Sequence, residues 1–413
     1  MTFRIECTWE DAPDVRAPEL AATWARLRLA VDDQVATLVK EKHSPQQVRE
    51  SIDVSAYPLA EWLALNWWEL STSSHRPGHR GIDISGARDG FPWPALTLLS
   101  DRAQMWVRLT SSPQAHTRVS PIGSFEAVLE RDDVLAEIAR FIDATVRRLE
   151  DAAVTSTLLQ EEWEAIRTTP DDVRTFTLAA AAWGEDPYDI DPARSEILIA
   201  ADEQIGDLAL LTDLARVVAL DELPSAQDWL ASAVRSIPET SAASKALHEL
   251  PPVARVSSAR PWQVGYEHAR QLRAALGLPD TELAPVDEFV ALGPTVDAPP
   301  VNIDALVRRH DSRIAATASE QALENITRAR FIGARSIARQ FTSPQASLSL
   351  LTTGSTYTDR LERAFAAEFL APAAGVRELL EEDFSEESQA RVASHLRVTP
   401  RVIEHQIENQ IAA

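Results

Sequence analysis

The sequence predicts an α+β protein that is predominantly helical, with a mixed N-terminal domain, a helical middle and a separate C-terminal domain. Three observations carry this. Residues 26–39 and 95–110 alternate polar and apolar side chains, the period of half-buried strands. From residue 131 onward apolar residues recur mostly at helical spacing. Proline and glycine then punctuate the chain near 170, 238–258 and 277–300, which divides it into segments. With 413 residues the chain is long enough for two or three domains with sizeable cores.

The elements follow in order. Leu27, Leu29 and Val31 share one strand face; Asp32-Asp33-Gln34 form a turn, and Val35, Thr37 and Val39 continue on the return strand. Residues 57–70 are apolar nearly all round, which predicts a buried helix. Residues 71–94 are rich in glycine and proline and read as a loop, followed by a second hairpin at 95–99 and 104–110. A helix is expected over 131–152, with Val134, Ile138, Phe141, Ile142, Val146 and Leu149 on its inner face. The middle reads as helices at 155–168, 171–183, 191–219 and 225–236. Pro170-Asp171-Asp172 is a strong helix start, because proline is tolerated in the first turn and acids there oppose the helix dipole. A linker is expected from 238 to 258. Helices are then predicted at 261–276, 319–341 and 358–371, with a less defined stretch between 278 and 318. The expected domains are therefore 1–152, 153–258 and 259–413.

Composition narrows the function classes. No run of apolar residues is long enough to span a bilayer, which predicts no membrane partner. The first residues, Met1 to Cys7, contain no apolar signal core, and Cys7 is the single cysteine. These features predict a cytoplasmic protein with no internal disulfide and no cysteine-based metal site. A formal net charge of −23 argues against nonspecific binding to nucleic acid. Eleven tryptophans point to aromatic anchoring of cores and interfaces, since each buries a large area.

The most informative stretch is Arg330-Phe331-Ile332-Gly333-Ala334-Arg335-Ser336-Ile337-Ala338-Arg339. Farther on comes Asp359-Arg360-Leu361-Glu362-Arg363-Ala364-Phe365-Ala366-Ala367-Glu368-Phe369-Leu370-Ala371-Pro372. Together these resemble the ImmA/IrrE family of bacterial metallopeptidases, whose pattern is R-F-T-L-A-H-E-L-G-H, then an acidic segment running into F-A-A-E-L-L-M-P. The stretch Val392-Ala393-Ser394-His395-Leu396-Arg397-Val398-Thr399-Pro400 resembles the small helical unit that follows the peptidase core, and Pro261-Trp262-Gln263-Val264-Gly265-Tyr266 its entry. The resemblance implies a zincin-like domain with a small sheet over 259–413, and a function in processing or binding repressor-type regulators.

The scaffold letters are present and the catalytic letters are not. An H-E-x-x-H helix presents two imidazoles at i and i+4 to one zinc ion, with the glutamate as general base. Here the two histidine positions hold Arg335 and Arg339, and the glutamate position holds Ser336. Arginine offers donors only and no lone pair for a metal. The degenerate positions therefore imply no metal, no catalytic residue and no cofactor. The resembled family draws its third ligand from an acid at the start of the later helix, where Asp359 and Glu362 stand. An ion cluster of Arg335, Arg339, Asp359 and Glu362 is expected to fill the vacated site, because guanidinium and carboxylate match in fork geometry. The alternative for the same residues is four solvated surface charges.

Elsewhere, His75 and His79 have H-x-x-x-H spacing, but Pro77 and Gly78 break any helix between them; Asp83 or Asp89 would have to complete a site. The loop 75–94, with Arg76, Arg80, Arg88 and Trp93, reads as a partner-docking or unstructured segment. His395 and His405 read as structural. The sequence thus points to an ImmA/IrrE-like protein with a degenerate peptidase site, acting on a protein or peptide partner in a stress, phage or mobile-element response. Two alternatives stand beside it: an active metallopeptidase with ligands from outside the motif, and an interaction module without peptidase ancestry.

Overall fold

A tight turn through Asp32, which adopts the left-handed backbone conformation (φ 48°), returns the strand Trp24–Val31 onto the short strand Gln34–Val35. The same long strand pairs antiparallel with Phe3–Trp9 on its other side and with Ile52–Ser55. Register places Phe3 opposite Val31 and Ile5 opposite Leu29, so the alternation read from the sequence puts Phe3, Ile5, Leu27, Leu29 and Val31 into one core. The expected return strand departs from this hairpin early. Val39–Glu41 leaves to pair with Val119–Pro121 and Val48–Arg49 in a small separate sheet. The computed structural model describes all residues except 13–14, 43–46, 73–80, 88, 112–117, 239–259, 296, 311–312, 343–345 and 412–413.

The chain divides into two compact units, 1–191 and 192–413. In the first, the strands Ala95–Asp101 and Gln104–Thr110 form the expected second hairpin, flanked by Phe125–Glu130 and Ile82–Asp83. The helix Arg131–Asp151 lays Val134, Ile138, Phe141, Ile142 and Leu149 into the shared core, while Val146 is half-buried. The expected helix over 57–70 is broken in two, Tyr57–Leu65 and Trp67–Ser71. The Asn66 side chain donates to the Trp62 carbonyl at 2.7 Å, which competes with the next helical turn. Leu65 is exposed, so the segment is not buried all round.

The helical middle is not a unit of its own. Helices Leu158–Thr168 and Asp171–Trp183 belong to the first unit, and Leu159, Trp163, Ile166 and Ala181 join its core. The first starts on a capping box between Thr157 and Gln160, and the second ends on Gly184 with φ 63°. The helices Pro192–Ile205, Leu208–Ala215 and Leu223–Ser236 belong to the second unit. One continuous helix over 191–219 is excluded by Gly206 (φ 60°) and by Asp207, whose carboxylate caps the amides of Ala209 and Leu210. The expected linker lies almost wholly outside the described residues.

The second unit contains a four-stranded mixed sheet that periodicity signalled only weakly. Its order is Val290–Pro294, Arg313–Ala318, Ile303–His310, Leu348–Thr352. The first pair is parallel and the others antiparallel. The expected helix over 319–341 splits at Asn325 into Glu320–Glu324 and the motif helix, Ile326–Thr342; Asn325 accepts from the amides of Thr327 and Arg328 and so starts the second helix afresh. The motif helix lies along the sheet and against a later helix, Tyr357–Leu370. That later helix also packs closely on Pro261–Ala275. A methyl group on Gly265 would stand 2.4 Å from the Leu361 carbonyl oxygen, so only glycine permits this approach.

The C-terminal helices Glu386–Leu396 and Pro400–Gln406 bring Val392, Leu396 and Ile403 into one core with Phe365 and Phe369. Ile407 and Ile411, half-buried in a wider final π turn, pack against it. Pro400 takes the first helical position, and Thr399, the residue before it, makes no side-chain capping bond.

His268, on Pro261–Ala275, is buried against Phe341, with ring centroids 5.0 Å apart. Burial holds its imidazole neutral, down at about 4, against a smaller opposing effect of Glu267. A histidine that protonates more readily unfolded than folded stabilises the fold fully above about pH 6.5 and loses that contribution as pH falls toward 4. His268→Leu should therefore flatten the acid-side fall in stability between those values, by on the order of 1–3 kcal/mol. Denaturant melts of wild type and variant across this range check it; parallel curves would show that the imidazole is already charged in the fold.

Candidate functional site: a buried arginine–carboxylate network

The motif helix is enclosed from Ile332 to Arg339, so side chains at every angle around it are buried, the charged ones included. Arg335 is 2% exposed and Arg339 1%. Arginine is almost never this buried unless paired. Both stand one turn apart on one face and reach toward the strand Leu348–Thr352 and the helix Tyr357–Leu370.

Glu362, itself fully buried, is the acid they share. Its Oε1 lies 3.2 Å from Arg339 Nε and its Oε2 3.7 Å from Arg335 Nη2. Thr342 Oγ1 donates a further 3.0 Å bond to Glu362 Oε1. Arg335 also donates to Asp304 Oδ2 at 2.7 Å and to the Thr352 carbonyl at 2.7 Å, and Arg339 donates to the Leu350 carbonyl. Among the described residues Leu348–Thr352 is the edge strand of the sheet, and its outward carbonyls meet no further strand there. The two guanidinium groups thus satisfy backbone acceptors that a further strand would otherwise meet, as well as the carboxylate.

Asp359 occupies a different part of the same network. It is the third residue of a capping box with Thr356: Asp359 N donates to Thr356 Oγ1 at 3.0 Å and Thr356 N donates back to Asp359 Oδ2 at 3.3 Å. Thr352 Oγ1 donates to its other oxygen at 3.1 Å. Its charge is met by Arg216, at 3.4 Å, which also lies 3.4 Å from Asp213. Asp213 closes the chain by accepting from Leu350 N at 3.1 Å on the edge strand. Of the four expected residues, Arg335, Arg339 and Glu362 therefore come together, joined by Asp304, while Asp359 pairs with Arg216 beside Asp213.

These three additions had little sequence signal. Arg216 and Asp213 lie far back in the chain, on the helix Leu208–Ala215 and its C-cap, and read there as an ordinary i,i+3 pair. The T-x-x-D box at Thr356 was legible as a helix start.

The chemistry available is narrow. Ser336 Oγ, fully buried, donates at 2.9 Å to the carbonyl of Ile332 in its own helix and faces no base. Among the described residues no three histidine, cysteine or acidic side chains gather as a metal ion would require. The guanidinium groups at the motif positions offer donors only, so the arrangement binds charge to charge and side chain to backbone.

The remaining candidates fall elsewhere. His75, His79, Arg76, Arg80 and Arg88 lie outside the described residues. Asp83 accepts from Ser85 N at 2.8 Å in a local turn, Asp89 sits exposed at φ 57°, and Trp93 is buried in the first unit's core. His395 Nε2 lies 3.0 Å from the Thr281 carbonyl, a structural contact. Among the described residues no helix is long and apolar enough to cross a membrane.

Removing one partner from a buried pair leaves an uncompensated charge. Glu362→Gln should therefore lower the stability of the second unit by about 3–5 kcal/mol. Arg26, which is 54% exposed and pairs with Glu10 at 2.8 Å in the first unit, is the control: Arg26→Ala should cost about 0–1 kcal/mol. Chemical denaturation of both variants, resolved by unit, decides between a buried cluster and a set of solvated charges.

No protein-family model matches the chain, and no curated protein matches it.

Proposed function

We propose that residues 259–413 are a degenerate peptidase domain of ImmA/IrrE type, and that the protein works by binding rather than by hydrolysis. Its partner is a regulatory protein or peptide in the cytoplasm, in a stress, phage or mobile-element response. One observation carries the reading. The two positions where the resembled pattern places zinc-binding histidines hold Arg335 and Arg339, and both meet Glu362 on the helix where that pattern places its third ligand. A mixed sheet beside the motif helix supports it further.

On this reading a salt-bridge network stands where a metal would tie two helices to a strand. The replacement keeps the scaffold and removes the chemistry. Arginine carries its charge across the physiological range and cannot be displaced by zinc as a histidine proton can. Ser336, at the position of the pattern's catalytic glutamate, carries no carboxylate and bonds to its own helix.

The protein should therefore purify without stoichiometric zinc, and incubation with added zinc should leave a bound protein partner uncut. Elemental analysis and intact-mass spectrometry of the partner check both. One tightly held zinc per chain, or zinc-dependent cleavage of the partner, would replace this reading with that of an active metallopeptidase using ligands from outside the motif.

A further inference from the structure

A cavity of about 650 Å³ opens beside the first turns of the motif helix, within the second unit. Phe331, Ala364, Val398 and Val402 give it an apolar lining, and Arg328, Arg363 and Arg401 stand around them. Among the described residues that line it there is no aspartate or glutamate. In a chain of net charge −23 this is a local reversal of sign. Arg401 is exposed. Arg363 is half-buried and donates to the Gly354 carbonyl at 2.7 Å; burial lowers its pKa, helped by the nearby Arg335 and opposed by Asp359 and Glu362. Arg328 reaches Asp304 at 3.5 Å. Each guanidinium has five N–H groups, so these contacts leave donors for an anion.

The size matches the cavities that hold small organic ligands, roughly 300–1,000 Å³. An apolar floor rewards an apolar body by area removed from water. Three guanidinium groups, with no acid among the described lining residues, reward a carboxylate, sulfonate or phosphate head. We propose that this cavity is a binding site for a small amphipathic anion, its aromatic or branched aliphatic body over Phe331 and Val402 and its head group against Arg401 and its arginine neighbours. The site adjoins the network around Glu362 through Asp304, which Arg328 and Arg335 share, and does not depend on peptidase ancestry.

The test uses the full chain and two fluorescent probes of similar body, the anion 8-anilinonaphthalene-1-sulfonate and the uncharged N-phenyl-1-naphthylamine. The anion should bind saturably, one per chain. Arg401→Glu should weaken it by about tenfold or more, the worth of one charge-assisted hydrogen bond, and leave the neutral probe nearly unchanged. Raising salt should weaken the anion alone. Val402→Trp, which fills the floor, should abolish both. Because Arg401 is exposed, its variant keeps the fold and decides the matter even if Val402→Trp does not fold. An anion affinity that Arg401→Glu does not change would overturn the proposal, as would neutral and anionic probes that lose affinity equally in that variant.

Discussion

The Glu362 carboxylate, held between Arg335 and Arg339 in a fully enclosed setting, is the contact on which the second unit depends. Ions taken out of water lose several kcal/mol of solvation each, and only close partners with good geometry return it. Here the same guanidinium groups also meet the Thr352 and Leu350 carbonyls on the edge strand. Three elements are thereby fixed at once: the motif helix, the strand Leu348–Thr352 and the helix Tyr357–Leu370. Asp213, Arg216 and Asp359 extend the same arrangement along the strand to the start of the later helix. Loss of Glu362 removes the carboxylate that Arg339 and Arg335 share, which makes the network a constraint on the sequence as well as a source of structure.

A metal site and this network solve one mechanical problem in different ways. A metal would hold its ligands through lone pairs and keep a position open for water. The arginines hold theirs through donors. The cavity walled by Phe331 and Val402 lies on the same helix as Arg335, so an occupant there would touch the element that the network fixes.

Much of the fold was legible in the sequence because short-range patterns dictated it. The alternation at Leu27, Leu29 and Val31 gave both strand and face, and the helix Arg131–Asp151 followed from its apolar stripe. The misses have local causes. Asn66, Asp207 and Asn325 each supply a side chain that competes with the backbone, and each breaks a segment whose hydrophobic pattern runs straight through. The mixed sheet was faint because its inner strands, Ile303–His310 and Arg313–Ala318, are buried on both faces and show no clean alternation. At the site, spacing put Arg335 and Arg339 on one face, and the resemblance implied that Glu362 stands on a facing helix. Arg216 and Asp304 were not legible, since their partners lie far away along the chain and only the tertiary fold brings them near. The division of the helical middle between two units was hidden for the same reason: helices 158–183 and 192–236 look alike in pattern, and the cores they join decide their membership.

The account rests on Arg339 and Glu362 acting as one buried pair. A double-mutant cycle with Arg339→Met, Glu362→Leu and the double variant, followed by chemical denaturation of the full chain, measures this directly. Each single change should be strongly destabilising and the double change much less so than their sum, with a coupling of about 1.5–3 kcal/mol. Additive effects would contradict the account, because they would mean that the two charges stand independently of each other in the folded protein.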